Sequence, residues 1–534
     1  MSLDKDDGAV EKLMEEGKKK LNTEGDKYDE LNKLELSDHT ETAYAGMGKE
    51  ELMKYANSPF WVRLRWLLFV TFWLSWFAMM FGALFIIFLT PKCFPPSKHE
   101  WYQKSPVYII NASSLVNQSN LNERIEYIQQ LGVQNVVLTS VFDGDGDKVI
   151  NFMQVNKFLG SNDTMKDFIK NLKSKGMKVI LRLVPNHSSK TNMMFVRSVL
   201  KEQFFENFYI WNSGSSNGTQ HYPINNWLSV TGESAWSWDD NRKQYYLHTF
   251  SADEPDFNFR NKDVVNYFKE VFKYWLNMGV DGLYLDKVQY LFKDKDLKND
   301  SLSNKATSIL PETNELLSHW GDLIRNYSGV LIVSDLDSKD TKGINMVHSS
   351  VTLASNFTGE QLLHVILTKK NMMSSSSWSS WEWVCTDKPN CWKNETIDAF
   401  SILGSLLPGV PFINADPKLF ENNKIPNITF IQSTLKELRS MPTIEFGSFN
   451  VKLLNNDTVF AFDRVMNGSE SLLFAWNLSK NVTVLNLNSF DGIPAEVNLS
   501  LCTESACSIL PPPKSKVNSN QLRLAGESAV VLTF

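Results

Sequence analysis

A single apolar run at residues 67–90, LLFVTFWLSWFAMMFGALFIIFLT, constrains the possible folds of this 534-residue chain more than any other feature. The run contains no charged residue and is longer than the ~20 residues that a helix needs to cross a bilayer. A long polar segment precedes it, which argues against a cleaved signal peptide. A buried core helix is the other alternative, but such helices are usually shorter and less purely apolar. The sequence therefore predicts one transmembrane helix at residues 66–90.

The orientation of this helix is indicated by charges and by glycosylation sequons. Lys54, Arg63 and Arg65 precede the run and Lys92 and Lys98 follow it, so the positive-inside rule only weakly favours a cytoplasmic N-terminus. Fifteen N-x-S/T sequons follow the run and none precedes it, which indicates that the C-terminal part lies outside the cytoplasm. Asn186 is set aside because it falls in a predicted core strand, and the candidate glycosylation sites are Asn111, Asn117, Asn162, Asn217, Asn299, Asn326, Asn356, Asn394, Asn427, Asn456, Asn467, Asn477, Asn481 and Asn498. The sequence predicts a single-pass type II membrane glycoprotein.

Composition divides the N-terminal part into segments. Residues 1–62 are rich in Lys, Glu and Asp and poor in aromatic residues, and they are predicted to be a largely disordered cytoplasmic segment. Within them, YAGMGKEELMKYA at 44–56 fits either a short amphipathic helix or a solvated linker. Residues 91–103 are predicted to be a juxtamembrane neck. The net charge of −6 does not indicate a nucleic-acid partner.

Beyond the neck, short apolar runs alternate with amphipathic helices, which predicts an α/β fold with a (β/α)8 TIM barrel at residues 104–439. The predicted strands are PVYIINA (106–112), VQNVVLTS (133–140), KVILRLVPNH (178–187), DGLYLD (281–286), GVLIVSD (329–335), SVTLASN (350–356), WEWVCTD (381–387) and VPFINAD (410–416). The clearest helix is KDVVNYFKEVFKYWLNMG, which has one apolar face and ends at Gly279. Residues 188–260, dense in Trp, Tyr, Asn and Gly, are predicted to be a small inserted subdomain. Strand-like runs separated by turns predict a C-terminal antiparallel β-sandwich domain at 440–534.

Four segments of the barrel region carry a specific resemblance. VILRLVPNHSS, VDGLYLDKVQYL, EPDFNFRNKDV and LLPGVPF resemble the signature segments of the α-amylase family, and especially of its α-glucosidase branch. With the apolar run, KEELMKYANSPFWVRLRW and PKC added, the whole chain is similar to the heavy-chain (ancillary) subunits of heteromeric amino-acid transporters. That resemblance implies a plasma-membrane glycoprotein that escorts and stabilises a polytopic transporter light chain.

The residues at the hydrolase positions depart from the α-amylase pattern. Active members use two carboxylates, one as nucleophile and one as proton donor. The resemblance assigns the nucleophile's place to Asp286 and keeps the Asn186 and His187 of the first motif. Arg182 replaces the Asp that begins this motif, and Tyr284 replaces the Arg that precedes the nucleophile by two residues.

The acid and the third motif also differ. The general-acid Glu of the fifth strand falls on Asp335 or Leu336, in a segment, LIVSDLDSKD, that contains no Glu. An N-H-D motif is replaced by the residues 385–387, Cys-Thr-Asp, so the sugar-binding His is missing. The remnants of a hydrolase site are His187, Asp286, Asp335 and Asp387.

These departures leave two hypotheses. The first is a non-catalytic heavy chain with a degenerate α-glucosidase-like barrel. The alternative is a membrane-anchored α-glucosidase-type glycoside hydrolase with Asp286 as its nucleophile. Because the missing Glu, Arg and Asp are separate losses, the resemblance favours the first hypothesis.

The sequence predicts neither a metal site nor a cofactor. Related hydrolases often carry a calcium-type turn after the first strand, where this chain has SSLVNQSNLNE. The run DGDGDKVINFMQ from Asp143 resembles the start of an EF-hand loop, but Lys148 replaces its glycine and Gln154 its glutamate. This run is interpreted as a surface turn.

The cysteines form two close pairs and one remainder. Short spacing in an oxidising compartment predicts two local disulfides, Cys385–Cys391 and Cys502–Cys507. Cys93 lies directly after the apolar run and has no mate, which indicates intermolecular pairing; a homodimer, or palmitoylation in the reverse orientation, are alternatives. In the transporter family the matching cysteine bonds to the light chain, so the resemblance assigns an interchain disulfide to Cys93.

The predicted span offers its own surfaces to a partner helix or to membrane lipid. Aromatic residues between positions 72 and 77 are broad, and small residues between 78 and 83 permit close approach of another helix. Contact of the aromatic residues with lipid is an equally good explanation.

Overall fold

The computed structural model of the protein describes residues 48–89, 99–112, 121–218, 220–300, 310–334, 336, 341–372, 377–386, 392–414 and 428–534. The chain separates into two compact units, residues 1–95 and 96–534. Some predicted site residues lie outside the described ranges: Cys93, Asn117, Asp335, Asp387, Cys391 and Asn427.

Residues 48–89, the described part of the first unit, form the helices α1 (Lys49–Ala56) and α2 (Pro59–Leu89). Within the described ranges, α2 is the one helix long and apolar enough to cross a membrane. It begins before the predicted residue 66 because a proline is well tolerated in the first turn of a helix and no breaker follows it. Of the two readings left open for residues 44–56, the helix is observed at α1.

The second unit is built around a closed barrel of eight parallel strands, as predicted. Its strands are β1 (Val107–Asn111), β2 (Asn135–Thr139), β3 (Lys178–Leu183), β4 (Gly282–Leu285), β5 (Val330–Ser334), β6 (Met346–Leu353), β7 (Trp378–Cys385) and β8 (Val410–Asn414). Each strand pairs in parallel with the next, and β8 closes the barrel on β1. The fold class predicted from the alternation of strands and helices is therefore confirmed.

Amphipathic helices cover the barrel. The helices of this unit are α3 (Trp101–Lys104), α4 (Leu121–Gln130), α5 (Asn162–Ser174), α6 (Met193–Val199), α7 (Lys262–Met278), α8 (Pro311–Asn326), α9 (Gly359–Met372), α10 (Asn394–Leu406), α11 (Phe430–Arg439), α12 (Pro442–Phe446) and α13 (Glu504–Cys507). Helix α7 is the clearest case of sequence dictating structure. Its buried face includes Val264, Phe268 and Trp275, and Gly279 ends it with a left-handed φ of 110°.

The carboxyl ends of the strands form the mouth of the barrel. Two insertions follow strands at this end. A hairpin of strands Phe142–Asp145 and Lys148–Val155 follows β2. The insertion after β3 contains a three-stranded sheet of Trp211–Asn212, Gln244–Leu247 and Trp236–Asp239, and a short hairpin of Ser215–Asn217 with Gln220–Tyr222. The predicted inserted region at 188–260 thus has its own small sheet.

The C-terminal part is antiparallel, as predicted. Its strands are β9 (Asn450–Leu454), β10 (Val459–Arg464), β11 (Leu472–Asn477), β12 (Thr483–Leu485), β13 (Glu496–Cys502), β14 (Lys516–Asn518), β15 (Leu522–Leu524) and β16 (Ala529–Thr533). Six of them form one sheet in the order β9-β10-β11-β16-β13-β14, and β12 pairs with β15. Apolar side chains of the sheet, such as Phe462 and Phe474, pack with residues of α10 in one core.

Candidate functional site

Arg182 and Asp286 meet at the ends of two neighbouring barrel strands. Arg182 lies in β3 in register with Tyr284 of β4, and Asp286 directly follows β4. The Nε atom of Arg182 donates to Oδ2 of Asp286 at 2.9 Å, and its Nη2 atom donates to the same oxygen at 2.5 Å. The residue that replaces the first-motif Asp therefore binds the carboxylate assigned as nucleophile.

Asp147 enters the same site from the hairpin after β2. Its Oδ1 accepts from Nη1 of Arg182 at 2.7 Å and its Oδ2 from Nη2 at 3.3 Å. The Nζ atom of Lys287 donates to Oδ2 of Asp147 at 2.8 Å. We call Asp147, Arg182, Asp286 and Lys287 the ion cluster. The run from Asp143 does form a turn, at residues 146–147, but the carboxylate of Asp147 in that turn bonds to Arg182 and Lys287.

The ion cluster is electrostatically self-contained. Burial alone would raise the pKa of Asp286 and of Asp147, but the Arg182 guanidinium outweighs it and both pKa values lie below their ordinary range. Burial would lower the pKa of Arg182, but the two carboxylates outweigh it and the pKa is raised. Two anions and two cations leave no net charge for an external ion to neutralise.

Both oxygens of the Asp286 carboxylate are already engaged. Oδ2 takes the two bonds from Arg182, and Oδ1 accepts from the backbone N–H of Lys287 at 2.8 Å. A retaining glycosidase needs a carboxylate oxygen that can attack the sugar carbon. In this geometry the carboxylate would first have to give up a charge-assisted bond, which is among the strongest hydrogen bonds in proteins.

Asn186 and His187, the kept residues of the first motif, are fully buried at 0% exposure. The Nδ2 atom of Asn186 donates to the carbonyl of Tyr290 at 2.7 Å, and Nδ1 of His187 lies 3.2 Å from Oδ1 of Asn186. Nε2 of His187 is 3.5 Å from Oε1 of Glu254, and burial lowers the pKa of this imidazole. These two side chains tie loops together and do not face an open cleft.

A second polar cluster, which sequence reasoning missed, lies between β6, β7 and β8. Nε2 of His348 is 2.9 Å from Oε2 of Glu382, and its Nδ1 is 3.0 Å from Oγ of Ser380. Asn414 donates to the other oxygen of Glu382. Burial would raise the pKa of Glu382, but the bond from His348 outweighs it and the pKa is lowered. The alternation of Trp381, Glu382 and Trp383 along β7 was the signal, because neighbouring strand residues face opposite sides.

This second cluster has the order of a nucleophilic triad, serine to histidine to carboxylate. Ser380 and His348 are each only 1% exposed, so a substrate cannot reach the hydroxyl. The ring of Tyr284 contacts His348 edge-on at 5.5 Å and closes the space from the β4 side. The cluster satisfies buried polar groups inside the barrel and is not a catalytic centre.

Of the remaining predicted hydrolase positions, the structure describes one, Leu336. Leu336, the alternative place for the general acid, is 3% exposed and belongs to the barrel core. Asp335 and Asp387 fall outside the described ranges. Across the part of the chain that the structure describes, no three His, Cys, Asp or Glu side chains are grouped to hold a metal ion.

The cysteines and sequons are placed as follows. Cys502 and Cys507 form a disulfide with their Cα atoms 5.4 Å apart. Cys385 is also disulfide-bonded, while Cys391 lies outside the described residues. Ten of the candidate asparagines are exposed: Asn111, Asn217, Asn299, Asn326, Asn356, Asn394, Asn456, Asn467, Asn481 and Asn498.

Two candidate asparagines have structural roles instead. Asn477 is 0% exposed, and its Nδ2 atom donates to the carbonyls of Asn481 at 2.8 Å and Ala525 at 2.9 Å. Asn162 is partly buried, and its Nδ2 donates to the carbonyl of Met153 at 3.0 Å and the hydroxyl of Tyr274 at 2.6 Å. A glycan on either nitrogen would have to break these bonds.

Comparisons with known families match two parts of the chain. Residues 118–396 match the alpha-amylase catalytic domain, and residues 32–108 match the N-terminus of solute carrier family 3 member 2. The second match covers α1, α2 and the start of the barrel unit.

Individual relatives fall into two groups. The rat amino acid transporter heavy chain SLC3A1 is 33% identical over 300 residues, which is 53% of this chain and 42% of the rat protein. Maltase A2 of Drosophila melanogaster is 27% identical over 351 residues, 58% of this chain and 61% of the maltase. This chain therefore spans less than half the length of the rat relative.

Solved structures agree on the fold. The alpha-glucosyl transfer enzyme XgtA is 19% identical, with a TM-score of 0.67 over 82% of this chain and 100% of that enzyme. At this identity the likeness speaks for the barrel architecture alone.

Proposed function

The chain belongs to the alpha-amylase family, and from that premise we propose that it is a non-catalytic, single-pass membrane protein that serves as the heavy chain of a heteromeric amino-acid transporter. The observation that carries the non-catalytic part is the binding of Asp286 by Arg182 within the ion cluster. The heavy-chain part is supported by the match to the N-terminus of solute carrier family 3 member 2, by the similarity to SLC3A1 heavy chains and by the apolar helix α2.

Loss of hydrolysis follows from the chemistry of the site. The carboxylate that would attack the sugar is engaged through both oxygens, and the Arg that would orient it is replaced by Tyr284, a ring packed among aromatic side chains. The barrel then acts as a folded ectodomain and not as an enzyme.

A hydrolysis assay tests this part. The purified full-length chain is incubated with an aryl α-glucoside, with an active maltase in parallel and Asp286→Asn as the matched variant. We expect wild type and variant to give the same background rate. Turnover that disappears in Asp286→Asn would instead establish the alternative, a membrane-anchored α-glucosidase, which the similarity to Drosophila maltase keeps in view.

We propose that the light-chain partner is held by an interchain disulfide at Cys93. The proposal rests on the odd cysteine count and on its place directly after the apolar run, since Cys502 and Cys507 bond to each other and Cys385 is also bonded. The span supplies further contacts with the partner and with lipid, so assembly need not depend on the disulfide alone.

Non-reducing electrophoresis of the protein from its native membrane tests the disulfide. We expect a large species that reduction converts to the single chain, and Cys93→Ser should abolish it. The control variant, Cys502→Ser with Cys507→Ser, removes a local disulfide and should keep the large species. A large species that persists in Cys93→Ser contradicts this assignment, and mass spectrometry of the wild-type species identifies the partner.

The proposed orientation places the N-terminus in the cytoplasm and the barrel unit outside the cell at the plasma membrane. The ten exposed sequon asparagines support it, because they give a transferase accessible sites on this side only. Treatment of intact cells with a peptide N-glycosidase should shorten the chain on a gel. A chain whose mobility does not change in intact or lysed cells argues against an extracellular barrel.

A further inference from the structure

A cavity of about 830 Å³ lies outside the barrel wall, between strands β7 and β8 and helices α10 and α11. We call it the lateral cavity. Its size falls within the ~300–1,000 Å³ of sites that bind small molecules. Trp381 and Trp383 face it from β7, and Glu382 and Asn414, whose side chains bond to each other, also border it.

One wall of the lateral cavity is aromatic. Trp383 lies 4.8 Å from the ring of Phe400, and Trp392 lies 4.4 Å from the same ring. Leu435 of α11 faces them across the space, and Ile397, 48% exposed, stands at its opening. Such a wall favours a hydrocarbon chain or ring over a polar ligand.

The charged residues around the lateral cavity have one sign. Lys104, Lys175, Lys436 and Arg439 line it, and the single acid on the described lining is Glu382. That carboxylate is already bound by His348 and Asn414 and does not offset them. The cavity therefore presents a positive potential to whatever enters it.

Hydrogen-bond donors without acceptors border the same space. The Nε1 atoms of Trp383 and Trp392 and the Nε atom of Arg439 are shielded from solvent and have no acceptor within the described structure. Within the described residues, the two Nη atoms of Arg439 donate to the backbone carbonyls of Ser405 at 2.6 Å and Lys104 at 3.2 Å. Burial lowers the pKa of Arg439 to about 10, and the neighbouring Arg464 adds to the shift. These three N–H groups are shielded, so they add positive character to the cavity wall without being direct contacts for a ligand.

We propose that the lateral cavity binds a lipid carboxylate, with its hydrocarbon tail against Trp383, Trp392 and Phe400 and its carboxylate on the side of Arg439 and Lys436. Two observations carry the proposal: the apolar wall selects the tail, and the cations of the lining select an anion. The inference goes beyond the proposed heavy-chain role and does not depend on it.

Photolabelling of the full-length chain in its membrane tests this site. A palmitate analogue that carries a photoreactive diazirine is compared with the matching fatty alcohol, and labelled peptides are mapped by mass spectrometry. We expect labelling of α10 by the acid that excess oleate suppresses, and much weaker labelling by the alcohol. Labelling of α2 by both probes reports that each reached the protein.

Two variants of exposed residues sharpen the test, because they leave the core intact. Ser401→Phe on α10 places a ring in the cavity beside this helix and should strongly reduce the labelling of the helix. Lys436→Glu reverses a charge at the rim and should weaken oleate competition by about tenfold or more. Ser433→Phe is the matched control, since Ser433 and Ser401 both bond a preceding carbonyl of their helix, at 2.9 and 2.8 Å, and Ser433 lies outside the cavity lining.

Three results would overturn the proposal. They are a wild-type chain in which α2 is labelled and α10 is not, equal labelling of α10 by acid and alcohol, and labelling of α10 that survives Ser401→Phe. The first of these would mean that the cavity is filled by the protein's own chain or is closed to lipid.

Discussion

The barrel mouth and the lateral cavity differ in whether their charged side chains have partners of opposite charge. At the mouth, the ion cluster pairs two carboxylates with two cations over distances of 2.5–3.3 Å, so each charge is compensated by the protein itself. At the lateral cavity, Arg439 and three lysines stand without a compensating acid, and three N–H groups lack acceptors in the structure described.

This difference indicates at which of the two places a ligand can form hydrogen bonds and ion pairs without displacing existing ones. A site whose charges are already paired gains little from an incoming sugar, because each new bond must replace an existing one. A site with uncompensated cations and apolar walls gains from an anion with a tail. Among the described residues, those at the barrel mouth therefore offer a sugar fewer unpaired charges than those of the lateral cavity offer an anion.

The largest effect is expected from Arg182→Met. This change keeps the aliphatic volume but leaves Asp147 and Asp286 with Lys287 as the only cation of the cluster. We expect the free energy of unfolding to fall by about 3 kcal/mol, because breaking a partly buried ion pair strands its partners. Urea denaturation of the full-length chain followed by tryptophan fluorescence measures the loss.

Two controls separate charge from packing in that experiment. Arg197→Met removes a pair whose side chains are 47% and 46% exposed and should leave the midpoint within error. Adding Asp147→Asn and Asp286→Asn to Arg182→Met should restore most of the lost stability. A triple variant as unstable as Arg182→Met alone would show that lost packing, not lost charge balance, lowers the free energy of unfolding.

Acid should weaken the ion cluster by a smaller amount. The pKa values of Asp147 and Asp286 are lower in the folded than in the unfolded protein. Their contribution is therefore complete above the unfolded pKa of about 4 and is lost as the pH falls towards the folded values. We expect the urea midpoint to drop between about pH 5 and about pH 3. The triple variant should drop less, and an equal drop in both proteins would assign the acid sensitivity to other groups.

Lys287→Met tests the edge of the cluster. The Nζ atom of Lys287 bonds to Asp147 at 2.8 Å and lies 4.1 Å from the centre of the Phe250 ring. Asp147 keeps Arg182, so we expect a loss of about 1 kcal/mol in the free energy of unfolding. Lys148→Met, which removes a pair with the 65% exposed Asp253, should change nothing measurable in the same assay. A loss as large as that of Arg182→Met would mean that the cations act as one unit.

The smallest effect on stability is expected at the lateral cavity. Ser401→Phe adds a ring to unfilled space next to an aromatic wall, and we expect the free energy of unfolding to change by less than about 0.5 kcal/mol. Thermal unfolding of the two full-length proteins in parallel measures it. A marked loss would show that the cavity cannot accept a ring.

The barrel could be predicted from sequence because its information is local. Strands of four to eight residues and helices with one apolar face, such as α7, can be recognised from the period of their apolar residues. The sequence predicts strand boundaries less accurately where polar residues are buried. Strand β6 begins at Met346, before the predicted residue 350, because His348 is inside the barrel with its nitrogens bonded to Glu382 and Ser380.

The site was harder to predict because its partners are far apart in the chain. The sequence shows that Arg182 replaces the first-motif Asp. It indicates the loss of that carboxylate but not the new ion pair between Arg182 and Asp286. Asp147 lay in a run dismissed by its failure to match a calcium loop. Its role depends on a hairpin that returns to the barrel mouth, and no spacing rule connects it to residues 35 and 140 positions away.

The buried amide of Asn477 has a consequence for how the protein is made. In the orientation proposed above, the sequon at 477–479 is presented to the glycosylation machinery before β11 can fold. An oligosaccharide added there would occupy the nitrogen that must donate to the carbonyls of Asn481 and Ala525, and would prevent the turn after β11 from closing. In that orientation, the yield of native protein depends on whether β11 folds before a sugar is transferred to Asn477. The sequon at Asn481, four residues later, is exposed in the folded protein, so a sugar there does not compete with folding.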